Sequence, residues 1–326
     1  DALAPLGADR ADAARAKAAR RALHKLSLSG LKPAPTAPPP TAEPAPDKVY
    51  ACLASAVDGD GTRSVTIARQ NRFGTLSMAV FVLNESTGVV DAFGAVPCSM
   101  SLWKRYLADA ETQQQVLVPV ELAFCQRQIE LAVARNERSK IPLPDRYYML
   151  SSLAMGRSDE RQRPAELSPE AIQAKADLLG QTTRLITLPE CRTWLLPPDE
   201  MRPHALKLLA ELRREQQQDQ SEQRNVPVLD LSRVQKQGTI ISMAMNTLFD
   251  GARRATFQDR LTYTADLLWR ADRLEDAQLA MAAALALAPE STLPVEQHPF
   301  LREVVMASVL IAVQAEEAGA SGAAAA

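Results

Sequence analysis

Aromatic side chains are scarce in this 326-residue chain, at 5% of the composition, and Trp103, Tyr106, Tyr147, Tyr148, Trp194 and Trp269 lie scattered along it. They offer no stacking platform for single-stranded nucleic acid, so core or interface packing is their expected role. The four cysteines, Cys52, Cys98, Cys125 and Cys191, stand tens of residues apart. That spacing excludes CxxC-type metal motifs and predicts buried free thiols in a reducing compartment. Glycine numbers only 13; no GxxxxGK[ST] loop occurs, and Gly59 and Gly61 followed by Ser64 break the GxGxxG spacing. Nucleotide binding therefore has no motif to rest on. HExxH and GxSxG are also absent, and the three histidines, His24, His204 and His298, are far apart. Each reads as structural. No apolar run approaches the roughly 20 residues that span a bilayer. The longest, from Met281 to Leu287, is Ala-rich and flanked by charge. Finally, 37 Lys+Arg against 39 Asp+Glu leave a net charge of -2, so the whole chain is no trap for polyanions. These absences together predict a soluble, cytoplasmic protein with no membrane partner, no catalytic residues, no metal and no cofactor. The chain begins at Asp1 rather than Met, which predicts that residues upstream have been removed or lie outside it.

What is present divides the chain. Residues 10 to 26, RADAARAKAARRALHKL, are nearly all helix formers. At 100° per residue Arg10, Lys17, Arg20 and Arg21 fall on one face and the Ala and Leu residues mostly on the other. This basic amphipathic helix, within a segment 1–31, either contacts a polyanion or an acidic partner, or docks through its Ala/Leu side and leaves its charge in water. Residues 32–47 include KPAPTAPPPTAEPAP, in which proline removes amide donors and fixes φ; this is an extended linker. Residues 48–109 predict a small α+β domain: strands in KVYACLAS, SVTIAR and TLSMAVFVLN form an antiparallel meander, and GVVDAFG continues or bends the third. Turns fall at Asp58–Gly61 and Asn71–Gly74, and Ser99 to Leu107 reads as a capped helix laid across one face. Asp58 and Asp60 invite a calcium reading, but Thr62, Arg63 and Arg69 occupy positions where an EF-hand needs a third ligand, glycine and glutamate. A hairpin turn accounts for them better.

From residue 110 to 317 the pattern is helical and solenoid-like, with helices expected at 113–137, 168–180, 198–216, 231–250, 257–271, 273–288 and 296–316. The segment EQQQDQSEQR reads as a solvated helix end or mobile loop, and 318–326, AGASGAAAA, as a disordered tail. The fold class expected is thus α+β, mainly α.

Two resemblances follow from particular residues. In LTYTADLLWRADRLEDAQLAMAAALALAP, small Ala265, Ala277 and Ala284 alternate with larger Leu261, Leu268 and Met281 before Pro289. This resembles a tetratricopeptide repeat, and small residues let two antiparallel helices approach closely whatever the family. The residues RRALHKL, VDGDGTRSVTIAR and GVVDAFG, spanning about 10 to 109, resemble bacterial HEAT-repeat-type proteins. That likeness implies a HEAT-like array upstream on which the first helix docks, and brings no biochemical activity with it. Two functions are therefore expected: a non-catalytic scaffold or adaptor joining other proteins in a larger assembly, or a nucleic-acid-associated component. The second would bind through Arg10, Lys17, Arg20 and Arg21, where seven basic residues face one acidic residue over positions 10 to 32.

Overall fold

The computed structural model describes residues 47–156, 158–221 and 231–324. The basic helix, with Arg10, Lys17, Arg20 and Arg21, and nearly all of the Pro-rich linker lie outside them. The chain is α+β and mainly α. Strands β1 (Lys48–Ser55), β2 (Thr62–Gln70), β3 (Leu76–Asn84) and β4 (Gly88–Cys98) form an antiparallel meander. Helix α1 (Met100–Thr112) follows, and then β5 (Leu117–Pro119) returns to pair with β1, giving the order β4-β3-β2-β1-β5.

Two differences from the sequence expectation have local causes. GVVDAFG is not a continuation of β3 but a fourth strand, because Asn84 turns the chain: its Oδ1 accepts from Ser86 N at 3.0 Å, and Gly88 takes φ +98°. Residues 117–119 are strand rather than helix. The sequence LVP ends in a proline that cannot continue a helix but is tolerated at a sheet edge.

Helix α2 (Leu122–Ser139) and the short α3 (Asp145–Leu150) follow. The expected helix at 168–180 is two pieces, α4 (Pro169–Gln173) and α5 (Leu178–Gln181). Six residues of unbroken helix would turn Ile172 and Leu178 about 240° apart, on different faces. The break lets both join the core, against helix α9 (Leu274–Ala286). Helices α6 (Pro198–Ser221), α7 (Leu231–Leu248), α8 (Gly251–Arg270) and α10 (Pro299–Ala324) complete the described residues. The last runs through Ala324 where a disordered tail was expected from 318, since alanine is the best helix former. Helices α8 and α9 form an antiparallel pair in which Ala265, Ala277 and Ala284 are buried, as their small size predicts.

The expected boundary near residue 109 falls inside a compact unit, Asp47–Ala326. One apolar core runs from Cys52 on β1 to Val313 on α10. Trp194 sits in it fully buried, donating from Nε1 to Val57 O at 2.9 Å and meeting Phe257 and Phe300 edge-on. The Tyr263 hydroxyl of α8 donates to Ser55 O of β1 at 2.8 Å. The sheet face bearing Ile67, Ala79 and Phe81 belongs to this core, and the opposite face is covered at one end by Trp103 of α1. All four cysteines are buried and free, as their scatter predicts.

The DGDG turn docks on both sides. A Cβ on Gly59 would lie 2.2 Å from Thr193 O, and Gly61, at φ +78°, leaves room for the Glu85 carboxylate. Glu85 in turn grips the Arg260 guanidinium of α8 through both oxygens, with Nε to Oε2 at 2.7 Å. Both partners are largely buried, at 7% and 16% side-chain exposure, so removing one leaves a charge unneutralised in the core. Glu85→Ala is expected to cost about 3–5 kcal/mol in urea unfolding, and Arg260→Met added to it should restore most of that loss. Full additivity of the two losses would argue against the pair.

His298, fully buried, caps α10: its Nδ1 accepts from Leu301 N at 3.2 Å, which leaves Nε2–H to donate to Ala283 O at 3.0 Å. Burial, aided by the nearby Arg254 charge, pushes its pKa down to about 4. An unfolded histidine titrates near 6.5, so below that pH the unfolded chain takes up a proton the folded chain refuses. This contribution to stability is present above about pH 6.5 and lost as pH falls toward about 4, by roughly 3 kcal/mol in all. Asn caps without titrating in this range. His298→Asn should therefore flatten the decline of unfolding free energy between pH 7 and 5, and an unchanged slope would refute the assignment.

Candidate functional site: a cleft on the second sheet face

Alternation along the strands places Ser64, Thr66, Val80, Val82 and Phe93 on the face opposite the main core. Helix α1 is too short to cover this face. Ser99 starts it, accepting from Leu102 N at 3.2 Å, and Trp103 fills the space over Leu53, Ala68, Leu76 and Met78. Further along, the Tyr106 hydroxyl and Thr66 Oγ1 share a 2.6 Å hydrogen bond that pins the helix to β2. Burial pushes the Tyr106 phenol up, so it remains a neutral hydrogen-bonding group. Past Thr112 the chain turns through Gln114, at φ 55°, into β5, and the rest of the face stays open.

The result is a cleft of about 350 Å³. Val80, Val82 and Phe93 supply its apolar part. Its rim comes from the turn Gln113–Gln115, from the ends of β1 and β2, and from residues 189–193. The rim is held by side-chain bonds: Arg192 Nη2 donates to Gln114 Oε1 at 2.8 Å, Gln115 Nε2 to Ser64 Oγ at 3.4 Å, and Ser64 N to Ser55 Oγ at 2.8 Å. The Ser55 and Ser64 hydroxyls are thus held by neutral neighbours.

One group in this wall is incompletely satisfied. Glu190, 3% exposed, gives Oε1 to Arg273 Nη1 at 2.6 Å, while its Oε2 is buried without a partner. A buried carboxylate oxygen left unpaired is costly, and a donor brought by a ligand would relieve it. Beside it the thiol of Cys191 is pushed up, first by burial and then by the Glu190 charge. Apolar floor, amide and hydroxyl donors, and a carboxylate acceptor are the groups that bind a polypeptide with its backbone partly desolvated.

Arg10, Lys17, Arg20 and Arg21 lie outside the described residues and add nothing to this geometry. Among the described residues no three His, Cys, Asp or Glu side chains gather to hold a metal ion. His204 and His298 sit in separate helical surroundings, on α6 and at the start of α10. Of the residues that line the cleft, the sequence points to Tyr106 only as a scattered aromatic and to Asp58, Thr62 and Arg63 only as parts of a turn that fails as a calcium loop. GVVDAFG showed strand character but not which face Phe93 would take, and Glu190 lies in an irregular segment with no periodicity to reveal its burial. The chain matches no family model, no curated protein and no solved structure.

Proposed function

We propose that the chain is a non-catalytic adaptor that holds an extended segment of a partner protein along β4 and in the adjoining cleft. The observation that carries this is the continuity of an open strand edge with the cleft through Phe93. Among the described residues β4 has no strand on its outer side. Unpaired strand edges recruit further strands, and proteins blunt those they do not use. Here the blunting is selective. Asn136 of α2 accepts from Val89 N at 2.6 Å and donates to Val89 O at 3.2 Å, closing the start of the edge. Register shifts then bulge the strand at Val90 and again at Val96–Pro97. Between them Asp91–Ala95 pairs regularly with β3 and carries no outer strand among the described residues; the Ala92 amide donates to Asp91 Oδ1 at 2.8 Å, and Phe93, 36% exposed, lines the cleft. A segment added there would set its alternate side chains beside Phe93, and its continuation across the sheet face would enter the cleft.

The helical part of the chain fits a larger assembly: the α8–α9 pair, with its tetratricopeptide-like pattern of small residues, is the kind of unit that repeat scaffolds stack. Four buried free thiols fit a reducing, cytoplasmic setting. No helix among the described residues is long and apolar enough to cross a membrane, which fits a partner that is a protein. The polyanion reading rests on the sequence of residues 10 to 32 alone.

Phe93→Asp separates the two. Partners recovered from the native lysate after nuclease treatment should fall about tenfold or more with Phe93→Asp, as for a central contact residue, while the melting temperature stays within a few degrees. Reversal of Lys17, Arg20 and Arg21 to Glu should leave recovery intact. The opposite pattern, with loss only in the charge-reversed variant, would replace the adaptor by a nucleic-acid-associated protein.

A further inference from the structure

A second cavity lies on the other face of the sheet; it shares Arg63 with the cleft's lining but does not rest on the adaptor reading. It measures about 310 Å³ and opens between the β2 end of the sheet, α2 and α8. Five arginines line it against three carboxylates. Three of the arginines are matched: Arg260 by Glu85, Arg163 by Asp266 at 2.9 Å, and Arg127 by Glu160 at 2.8 Å. The remaining two are not. Arg135 reaches only Asp259, at 4.0 Å, and that carboxylate is 77% exposed. Arg63, 8% exposed, makes no ion pair among the described residues; Glu85 and Asp259 act on it only from a distance.

Arg63 is the unusual group. Its Nη2 donates to Gln128 Oε1 at 3.1 Å and its guanidinium stacks 4.5 Å from the Tyr263 ring centre, yet its Nε is buried without a partner. Neutral amide and aromatic contacts orient a guanidinium without cancelling its charge. Burial lowers the Arg63 pKa and the Arg135 charge adds to this, while Tyr263, Glu85 and Asp259 only partly offset it. Nε of Arg127 and Nη1 of Arg135, on two other arginines of the lining, are likewise buried without a partner. Buried donors are paired in folded proteins, and a charged donor left bare in a cavity points to a missing counterion.

We propose that this cavity binds a phosphate group, with Arg63 and Arg135 as its charge-neutralising ligands. Two cations without a close carboxylate suit a dianion. Guanidinium groups arriving from a strand and from a helix suit a tetrahedral oxyanion better than a planar carboxylate, which a single guanidinium fork would satisfy. The volume fits a small molecule, so the group arrives as inorganic phosphate or as a small phosphomonoester.

Titration calorimetry of the full chain with inorganic phosphate, glycerol phosphate and acetate, at constant ionic strength, tests this. Saturable one-to-one binding of either phosphate probe, at least about tenfold tighter than acetate, is expected. The tighter of the two identifies free ion or ester as the source. Arg63→Met should weaken phosphate binding about tenfold or more without lowering the melting temperature of the ligand-free chain, because a buried unpaired charge is replaced by an apolar chain of similar length. Arg135→Gln gives the same test at a half-buried helix position should Arg63→Met fail to fold. A purely structural Arg63 would instead destabilise the chain on substitution and leave phosphate affinity untouched. Absence of saturable phosphate binding, equal affinity for acetate, or unchanged affinity in both variants would overturn the proposal.

Discussion

The pairing of buried guanidinium groups across the junction of sheet and helices is the constraint on which the rest of the structure depends. Arginine cannot shed its charge, so a buried one is oriented by carbonyls and aromatic faces and neutralised by an anion. Arg260 on α8 holds the β3–β4 turn through Glu85, and Arg270 on the same helix holds the entry to α2 through Glu121 at 2.9 Å. Arg69 of β2 donates to the carbonyls of Leu153, at 2.6 Å, and Met155. Each of these joins segments far apart in sequence, and each fails if its helix shifts by one turn. The few aromatic residues are used the same way: Arg270 lies over Phe124 at 4.5 Å and over Trp269 at 4.6 Å, so scarce rings serve as platforms for cations as well as core.

These anchors explain why the two faces of the sheet differ. The face held to α2 and α8 is largely closed, and the arginine-lined cavity opens there. The other face has only α1, which Tyr106 pins at one point, and the uncovered remainder becomes the cleft. A protein of this composition cannot cover both faces equally, since most of its helices are committed to the continuous core that runs from Cys52 to Val313. The site is in this sense the residue of an uneven distribution of helices over one sheet.

Much of the local structure was legible because its causes are local. The strands β1 to β3 alternate visibly, Ser99 and Ser168 each precede a helix and cap it, and the glycines of DGDG stand where a hairpin needs them. The missed features depend on contacts distant in sequence. β5 is three residues long and exists only because β1 offers an edge. The division at residue 109 looked natural from composition, yet the sheet and the helices share one core, and no window of sequence displays that. Arg63 is the sharpest case. In the alternating stretch TRSVTIARQ an arginine reads as a solvent-facing position, whereas here Arg63 and Arg69 point to the core side and are 8% and 7% exposed. Their partners, Gln128 and the Leu153 carbonyl, lie 65 and 84 residues away.

That same alternation ties the two sites together. Arg63 and Ser64 are consecutive on β2, one facing the arginine cavity and the other the cleft. A slip of one residue in register would turn the guanidinium into the cleft and the hydroxyl into the core, abolishing both sites at once. What prevents the slip is turn chemistry at the head of the strand. Asp58 Oδ1 accepts from Thr62 N at 2.7 Å, Gly61 adopts φ +78°, and Ser55 Oγ accepts from Ser64 N at 2.8 Å. At the far end Arg69 is fixed to the carbonyls that follow α3. With both ends of β2 tethered, the strand has one register available, and the two unlike chemistries are displayed on opposite faces by the backbone itself. The DGDG turn, which resembles a calcium loop without its ligands, therefore serves as the register pin for everything the sheet presents.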